Sequence, residues 1–421
     1  MLLLGGLAWV PAALHGLLRA WPRSRLQRHA GLLLAIERAR RMRHGAAVLM
    51  AGIVASLSLS VAITVMVSSF RQSVIAWLDV VLPADVYLRV GGGQGTSSGE
   101  RADGSSLPAD WPERARTLPG VTAARGGWIG SLSLDARRPP ITLIARPVDR
   151  QRPAMPLVGA TVAAPDGAVP VWVSEAMADL YGARPGQRLA LPLRAGEPPL
   201  QAWVVGVWRD YARQSGAVVI DLADYRRLSG DTRLTDLAVW LTPPVTDTAA
   251  QALAQTLRAW PDAPTQGLEI AQPREIRAQT LRIFDRSFAV TLWLQAVAIG
   301  IGLFGTAASF SAQVLARRKE FGLLAHLGFT RREVLGVVTA EGAALSTVGA
   351  AVGLGLGLLI SLVLVKVVNP QSFHWSMDLS LPWPRLLALC AAVVLAGTAT
   401  AWLAGRQAVN VAAVRAVKEE S

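Results

Sequence analysis

Residues 316–333 read ARRKEFGLLAHLGFTRRE and separate two long apolar stretches. Gly328 stands where a short helix would end, because glycine reaches the left-handed conformation after a helix without a clash at Cβ. Thr330 and Glu333 have the spacing of a capping box, in which each side chain accepts a hydrogen bond from the other residue's amide. The pattern therefore predicts a short helix, a turn and a new helix that enters a membrane.

The composition of the whole chain favours a polytopic membrane protein. Its 421 residues are 52% hydrophobic with a mean hydropathy of +0.36, which is more apolar than an average soluble domain. The net charge is +13, but the 23 Arg and 22 acidic residues between Arg71 and Asp285 nearly cancel. The positive excess lies beside the apolar stretches, where it indicates topology rather than nucleic-acid binding. Cys390 is the only cysteine, so the chain has no disulfide framework.

Five apolar stretches are long enough to cross a bilayer, for which about 20 residues suffice. We predict a polytopic α-helical membrane protein with about five transmembrane helices and one large extracytoplasmic α+β domain. The predicted segments are a leading transmembrane helix at 1–20, a cytosolic basic amphipathic segment at 21–44, a transmembrane helix at 45–70, the α+β domain with a stalk at 71–285, three transmembrane helices at 286–406 and a cytosolic tail at 407–421.

Two of these segments have alternative interpretations. Residues 1–20 could be a signal peptide, but they lack a basic start, and a signal peptide would place the seven Arg of residues 21–44 outside. Residues 21–44 could equally be a plain positive-inside loop.

The basic residues orient the spans. Seven lie in residues 21–44, five in 313–333 and three after residue 405, whereas residues 369–384 contain none. With five spans, all three basic segments lie on one side, which should be the cytosol. The N-terminus then starts outside, which an upstream permease half, joined or separately encoded, would explain.

Alternating strand-like and helix-like runs predict the α+β class for the large domain. The strand candidates are Trp128–Leu134, Ile141–Arg146, Val169–Val173, Arg188–Leu193, Ala202–Val207, Ala217–Asp221 and Leu237–Leu241. The helix candidates are Ser174–Tyr181, Leu222–Leu228 and Thr248–Trp260, and Gln272–Arg286 is a helical candidate for the stalk.

The residue types needed for common catalytic sites do not occur in suitable places. All five His lie outside residues 71–285, so a Ser-His-Asp triad or a His-ligated zinc site is not expected there. The chain has no phosphate-binding loop of the form GxxxxGK[ST]. Glu341 is the one acid within a span, and we expect it at the membrane interface. We therefore predict a non-catalytic chain without catalytic, cofactor-binding or metal-binding residues.

Three glycines mark one face of the penultimate span. Gly349, Gly353 and Gly357 recur every fourth residue, which predicts that another helix approaches closely along this face. The alternative is that glycine is simply common in membrane helices.

The basic loop and its neighbouring spans resemble the FtsX-like permease family of ABC transporters, which includes the MacB and LolC/LolE types. The similarity covers residues 45–406 in the order span, large domain, three spans. Val171–Gly186 and Val205–Tyr211 resemble stretches of the family's domain, and Asn369–Met377 resembles the closing loop of the C-terminal repeat in long two-repeat members. The matching residues of the loop are Arg317, Glu320, Gly322, Leu323, Leu324, Leu327, Gly328, Arg331, Arg332 and Glu333.

The resemblance implies a permease subunit of the bacterial inner membrane that transmits motion from a cytosolic ATPase to the extracytoplasmic domain. The cargo would be a lipid, lipoprotein, peptide or hydrophobic compound, and ATP would be bound by the partner, with no cofactor in this chain. Other implied partners are a second permease copy or an upstream permease half, a periplasmic protein and membrane lipids, but no nucleic acid. The residues that would contact the ATPase are Arg317, Arg318, Lys319, Glu320, Phe321, Gly322, Leu323, Leu324, Leu327 and Gly328, with Thr330 and Glu333 capping the next helix.

Two other functions compete with this hypothesis. A membrane-tethered receptor or scaffold that activates an extracytoplasmic enzyme would share the architecture. A secondary transporter would need charges inside the membrane, and only Glu341 and Lys366 come near.

Overall fold

The computed structural model describes residues 5–6, 43–90, 106–150, 153–194, 196–264, 267–317, 320 and 328–419. All but two residues of the predicted leading helix at 1–20, and nearly all of the basic segment at 21–44, lie outside these ranges. The chain forms two compact units. The first comprises residues 1–70, 285–367 and 378–421, and the second comprises residues 71–284 and 368–377. Residues 368–377 fall within the predicted segment 286–406, and their contacts place them in the second unit.

In chain order, the helices are α1 (Arg43–Val81), α2 (Trp111–Arg116), α3 (Glu175–Leu180), α4 (Leu222–Ser229), α5 (Asp247–Arg258), α6 (Pro273–Ala316), α7 (Arg331–Val363), which continues through a π turn (Leu364–Val368), α8 (Asn369–Phe373) and α9 (Trp383–Glu419).

Four helical stretches among the described residues are long and apolar enough to cross a membrane: Met50–Val81, Pro273–Ala316, Arg331–Phe373 and Trp383–Gln407. The helices extend beyond the predicted spans. α1 continues 11 residues past the predicted end at Phe70, and α6 joins the predicted stalk to the next span without a break. α9 continues to Glu419 through the segment predicted as a tail.

Ten strands of the described residues form one mixed sheet in the second unit. They are β1 (Val86–Val90), β2 (Val121–Leu132), β3 (Ile141–Arg146), β4 (Leu157–Val158), β5 (Pro170–Ser174), β6 (Arg188–Leu191), β7 (Leu200–Trp208), β8 (Ala217–Asp221), β9 (Asp236–Leu241) and β10 (Leu268–Ala271). Their order is β10-β1-β9-β2-β3-β8-β5-β7-β4, with β6 also paired to β7. The pairs β3–β8 and β5–β7 are parallel, and the other pairs are antiparallel.

The two faces of this sheet are covered differently. On the first face, side chains of α2, α3, α4 and α5, among them Trp111, Met177, Tyr225 and Leu253, pack on alternate strand residues to form the main core. On the second face, a smaller apolar cluster is covered by residues 153–168, which we call the strap. Because strand side chains alternate between faces, a buried strand can supply both clusters.

Sequence patterns located seven strands and three helices of this domain, most of them within a few residues of the observed bounds. An eighth strand, β1, lies in the run Val81–Val90, whose sequence predicts the end of a helix followed by a strand. The largest difference is in β2, which begins at Val121 rather than Trp128. The patterns missed α2, β4 and β10. β4 has two residues and β10 has four, which is too short for an alternating pattern to stand out. α2 begins with a Trp-Pro pair and has six residues, so it offers less than two turns of helical periodicity.

Candidate transmission site

Within the second unit, the segment 368–377 is fastened to the α+β domain around Ser376. The Ser376 amide donates to Glu175 Oε2 at 3.0 Å, and its hydroxyl donates to Glu175 Oε1 at 2.6 Å. Arg209 Nη2 donates to the Ser376 hydroxyl at 3.2 Å, and the Tyr211 hydroxyl donates to the Ser376 carbonyl at 3.1 Å. Every polar group of Ser376 is therefore held by the domain. We call Ser376 with Glu175, Arg209 and Tyr211 the clasp.

Local structure places Glu175 for this role. Ser174 caps α3 by accepting from the Met177 amide at 3.3 Å, and it also accepts from the Ala217 amide of β8 at 2.9 Å. Glu175 is thus the first residue of a helix whose start is anchored to the sheet. Its carboxylate lies 3.9 Å from Arg209 Nε, and charge-assisted contacts to a carboxylate are stronger than neutral hydrogen bonds.

Aromatic rings surround the clasp. Trp375 is 6% exposed and meets Tyr211 edge to face, with ring centroids 4.8 Å apart. Tyr211 also meets Trp77 of α1 at 5.9 Å, and Trp77 Nε1 donates to the Arg209 carbonyl at 3.0 Å. Such ring pairs contribute about 0.5–1.5 kcal/mol each beyond their buried area. The end of α1 and the segment 368–377 therefore pack on the same loop after β7.

The segment 368–377 also has internal order. Asn369 Nδ2 donates to the Trp375 carbonyl at 2.9 Å. His374 has a φ of 59°, in the left-handed region, and its amide closes the short helix α8 by donating to the Pro370 carbonyl. Its imidazole contacts Asp179 of α3. The sequence contains no His in residues 71–285, yet the fold brings His374 to this domain.

In the first unit, Arg317 and Glu341 form a buried ion pair. Arg317 Nη1 lies 3.0 Å from both carboxylate oxygens of Glu341, and the two side chains are 10% and 6% exposed. Glu341, which we expect at the membrane interface, is buried within the protein against the Arg317 cation. Arg317, predicted to contact the ATPase, has its guanidinium engaged inside its own chain.

The start of α7 contains both hydrogen bonds of the capping box. Glu333 N donates to Thr330 Oγ1 at 3.3 Å, and Thr330 N donates to Glu333 Oε2 at 2.8 Å. Gly328 has a φ of +89°, a conformation that residues with a Cβ rarely adopt. Glu320 is exposed and helical. The remaining residues predicted to contact the ATPase lie outside the described part of the chain: Arg318, Lys319, Phe321, Gly322, Leu323, Leu324 and Leu327.

The three glycines spaced by four in α7 face α1. A Cβ at Gly349 would lie 3.2 Å from Ile53, and one at Gly353 would lie 3.2 Å from Leu57. A Cβ at Gly357 would lie 2.6 Å from the Val61 Cβ. The α1 residues recur with the same spacing of four, so the two helices contact each other along one continuous seam.

The clasp residues are absent from the predicted site. The sequence points to the clasp residues only through three stretches that resemble family motifs: Val171–Gly186, Val205–Tyr211 and Asn369–Met377. Each stretch supplies part of the clasp, but Glu175 and Ser376 are 201 residues apart. Nothing in a single sequence pairs positions at that distance.

The comparisons with known proteins agree with this architecture. A family model described as MacB-like periplasmic core domain matches residues 46–257, and one described as FtsX-like permease C-terminal matches residues 294–413. These matches confirm the resemblance. The chain is 27% identical over 380 residues to an uncharacterised ABC transporter permease protein of Mycobacterium tuberculosis. The match covers 86% of this chain and 42% of that relative, so the chain spans about two fifths of its length.

Two solved structures are similar to part of the chain. The periplasmic region of MacB from Actinobacillus actinomycetemcomitans is 15% identical, with 47% of this chain and 92% of that one covered and a TM-score of 0.34. The extracellular domain of the ABC-type transporter YknZ from Gram-positive bacteria is 13% identical, with 44% and 99% covered and a TM-score of 0.31.

Proposed function

The chain belongs to the FtsX-like permeases of ABC transporters with a MacB-like periplasmic core domain, and we propose that it carries ATP-driven motion to that domain. The observation that supports this function best is the clasp, which holds the loop between α7 and α9 to the domain through Ser376. A movement of α7 along its axis would therefore pull directly on α3 and the loop after β7.

A permease of this family implies an ATPase partner. We propose that this partner is a separate cytosolic subunit, that it binds the segment around Leu323 and Leu327, and that the present chain is non-catalytic. The protein would lie in the bacterial inner membrane and pair with a second copy or another permease half. Its cargo would be a lipid, lipoprotein, peptide or hydrophobic compound.

The structure of the first unit supports a lever that begins in this segment. Thr330 and Glu333 fix the first turn of α7, so the helix starts at a defined residue. The Arg317–Glu341 ion pair ties the end of α6 to the third turn of α7. The glycine seam then packs α7 against α1 over residues Gly349–Gly357. These contacts favour movement of α7 as a rigid body.

Copurification with the ATPase tests the first step. Leu323→Asp with Leu327→Asp should abolish retention of the ATPase on the full chain, because two charges would enter the proposed apolar contact. The matched control is Val162→Asp with Val245→Asp, which charges two exposed valines of the α+β domain and should retain the ATPase. Unchanged retention by the Leu323/Leu327 variant would contradict the proposal and favour a receptor or scaffold.

A further inference from the structure

We propose that the apolar cluster beneath the strap binds an acyl chain through its ester group. This inference rests on the proposed function and names the chemical class of its cargo. The cluster comprises Ile144, Met155, Trp172, Val205, Trp208, Ala217 and Val219, with Trp203 packed beside it.

The cover of this cluster differs from that of the main core. Four helices pack on the first face of the sheet, whereas the described residues of the second unit that cover the second face at this place are irregular chain and the two-residue strand β4. Met155 is the buried side chain among the described residues of the strap, most of which are exposed. A segment with so few buried contacts opens at low cost compared with a core element.

The backbone of the strap is also lightly held. Leu157 and Val158 pair with β7, the Val162 amide donates to the Val205 carbonyl, and the Arg209 amide donates to the Pro156 carbonyl. These bonds lie along the edge of β7. The strap can therefore move from the apolar cluster while the strands beneath it stay paired.

Two buried hydrogen-bond donors, one in the cluster and one packed against it, lack acceptors among the described residues. Trp203 Nε1 and Trp208 Nε1 are both shielded from solvent, and neither has a partner among the described residues. Trp208 as a whole is 2% exposed. A buried donor without an acceptor is costly, and tryptophan normally finds a partner for this group when it is buried. Both donors project from one strand, β7, on either side of the apolar Val205.

This arrangement restricts the chemistry of the ligand. The side chains of the cluster are Ile, Met, Trp, Val and Ala, which provide indole donors but no strong acceptor. A peptide would bring backbone N–H groups that need acceptors, so its burial in this cluster would be penalised. An acyl ester brings an apolar chain and accepting oxygens without any donor. A glycerolipid and a lipid-modified protein both contain this group.

Photolabelling of the full chain tests the site. The chain is purified in amphipol, without added lipid, and exposed to a photoreactive dodecanoic acid methyl ester or to the matching photoreactive alkane. We expect the ester to label the strap and β7, as mapped by mass spectrometry, about tenfold more than the alkane, because only the ester can accept from the indoles. Equal labelling by both probes, or ester labelling confined to other regions, would overturn the proposal.

Paired variants separate the hydrogen bond from simple apolar contact. Trp203→Phe with Trp208→Phe keeps two rings but removes both donors, and it should reduce ester labelling to the level of the alkane. Trp240→Phe removes a half-buried indole elsewhere on the sheet and should leave the labelling ratio unchanged. If the double variant fails to fold, the ratio of ester labelling to alkane labelling on the unaltered chain still tests whether the indoles bind an ester.

Competition distinguishes the two sources of the ester. A diacyl phospholipid and a peptide carrying a diacylglyceryl group are each added before illumination, and the stronger competitor identifies the source. Failure of both to compete would overturn the proposal. The chain is labelled without its ATPase, so this result is independent of the copurification experiment that tests the proposed function.

Discussion

The two ends of α7 differ in how they are held. Its first turn belongs to the elbow, residues 316–333, and a capping box and a buried ion pair act there within 25 residues of chain. Its other end leads to the clasp, where Ser376 bonds to residues between 165 and 201 positions away. The difference shows that the first turn of α7 is fixed by capping residues next to it in the sequence, whereas the loop that follows the helix is fixed by residues far away in the sequence.

The largest effect should come from breaking the ion pair near the elbow. Arg317→Ala leaves the Glu341 carboxylate buried without its cation, which should lower the free energy of unfolding by about 3–5 kcal/mol. Denaturant titration of the detergent-solubilised chain measures this. Arg317→Met combined with Glu341→Leu removes both charges and should recover most of the loss. If Arg317→Ala is as stable as the variant that lacks both charges, the Arg317–Glu341 pair is not buried.

The next largest loss of stability should come from adding a methyl group to the glycine seam between α7 and α1. At Gly357 a Cβ would lie 2.6 Å from the Val61 Cβ and 2.8 Å from the Ser58 carbonyl oxygen, so Gly357→Ala should cost about 1–3 kcal/mol through overpacking. At Gly355 nothing among the described residues lies within 4 Å of an added methyl group. Gly355→Ala is therefore the control and should be neutral or stabilising, because alanine favours helix. If Gly357→Ala and Gly355→Ala change the thermal unfolding temperature equally, Gly357 does not lie in a close contact between helices.

At the clasp, Ser376→Ala should cost about 1–3 kcal/mol, because it leaves Glu175 and Arg209 without the hydroxyl that each contacts. The loss should be local, so amide hydrogen exchange in residues 369–377 should accelerate about tenfold. Thr256→Ala removes an exposed hydroxyl that bonds within its own helix, and it should leave this exchange unchanged. Unaltered exchange in the Ser376 variant would mean that other contacts hold the loop.

An exposed ion pair away from both ends provides the smallest effect. The hydrogen bond from Arg114, 2.6 Å from Asp262, holds the pKa of this carboxyl below its ordinary value of 3.8, and the Trp111 indole adds to this. Because the folded pKa is depressed, its contribution is present above pH 3.8 and is lost as the pH falls through the folded pKa. Solvent screening limits it to under about 1 kcal/mol. Asp262→Asn should remove the loss of unfolding free energy that protonation of Asp262 causes at low pH. If the variant shows the same dependence of unfolding free energy on pH, the Arg114–Asp262 pair does not contribute to stability.

Structural elements that depend on residues close together in the chain could be predicted from the sequence. Short apolar runs located β3, β5 and β8, and the Thr330–Glu333 spacing indicated a cap whose two hydrogen bonds are present. The glycine spacing indicated a close helix contact but could not identify α1 as the partner. The ion pair of Glu341 with Arg317 was not predicted, because a single sequence does not reveal that the two residues lie side by side in the fold.

Motion that starts at the elbow should reach the domain through the clasp. The most direct test is hydrogen exchange of residues 170–181 in the full chain bound to its ATPase, with and without ATP. The chain should show an ATP-dependent change in the exchange of these residues. The change should disappear in Ser376→Ala with Glu175→Gln while ATP hydrolysis continues. An identical ATP-dependent change with the clasp broken would contradict transmission through the clasp.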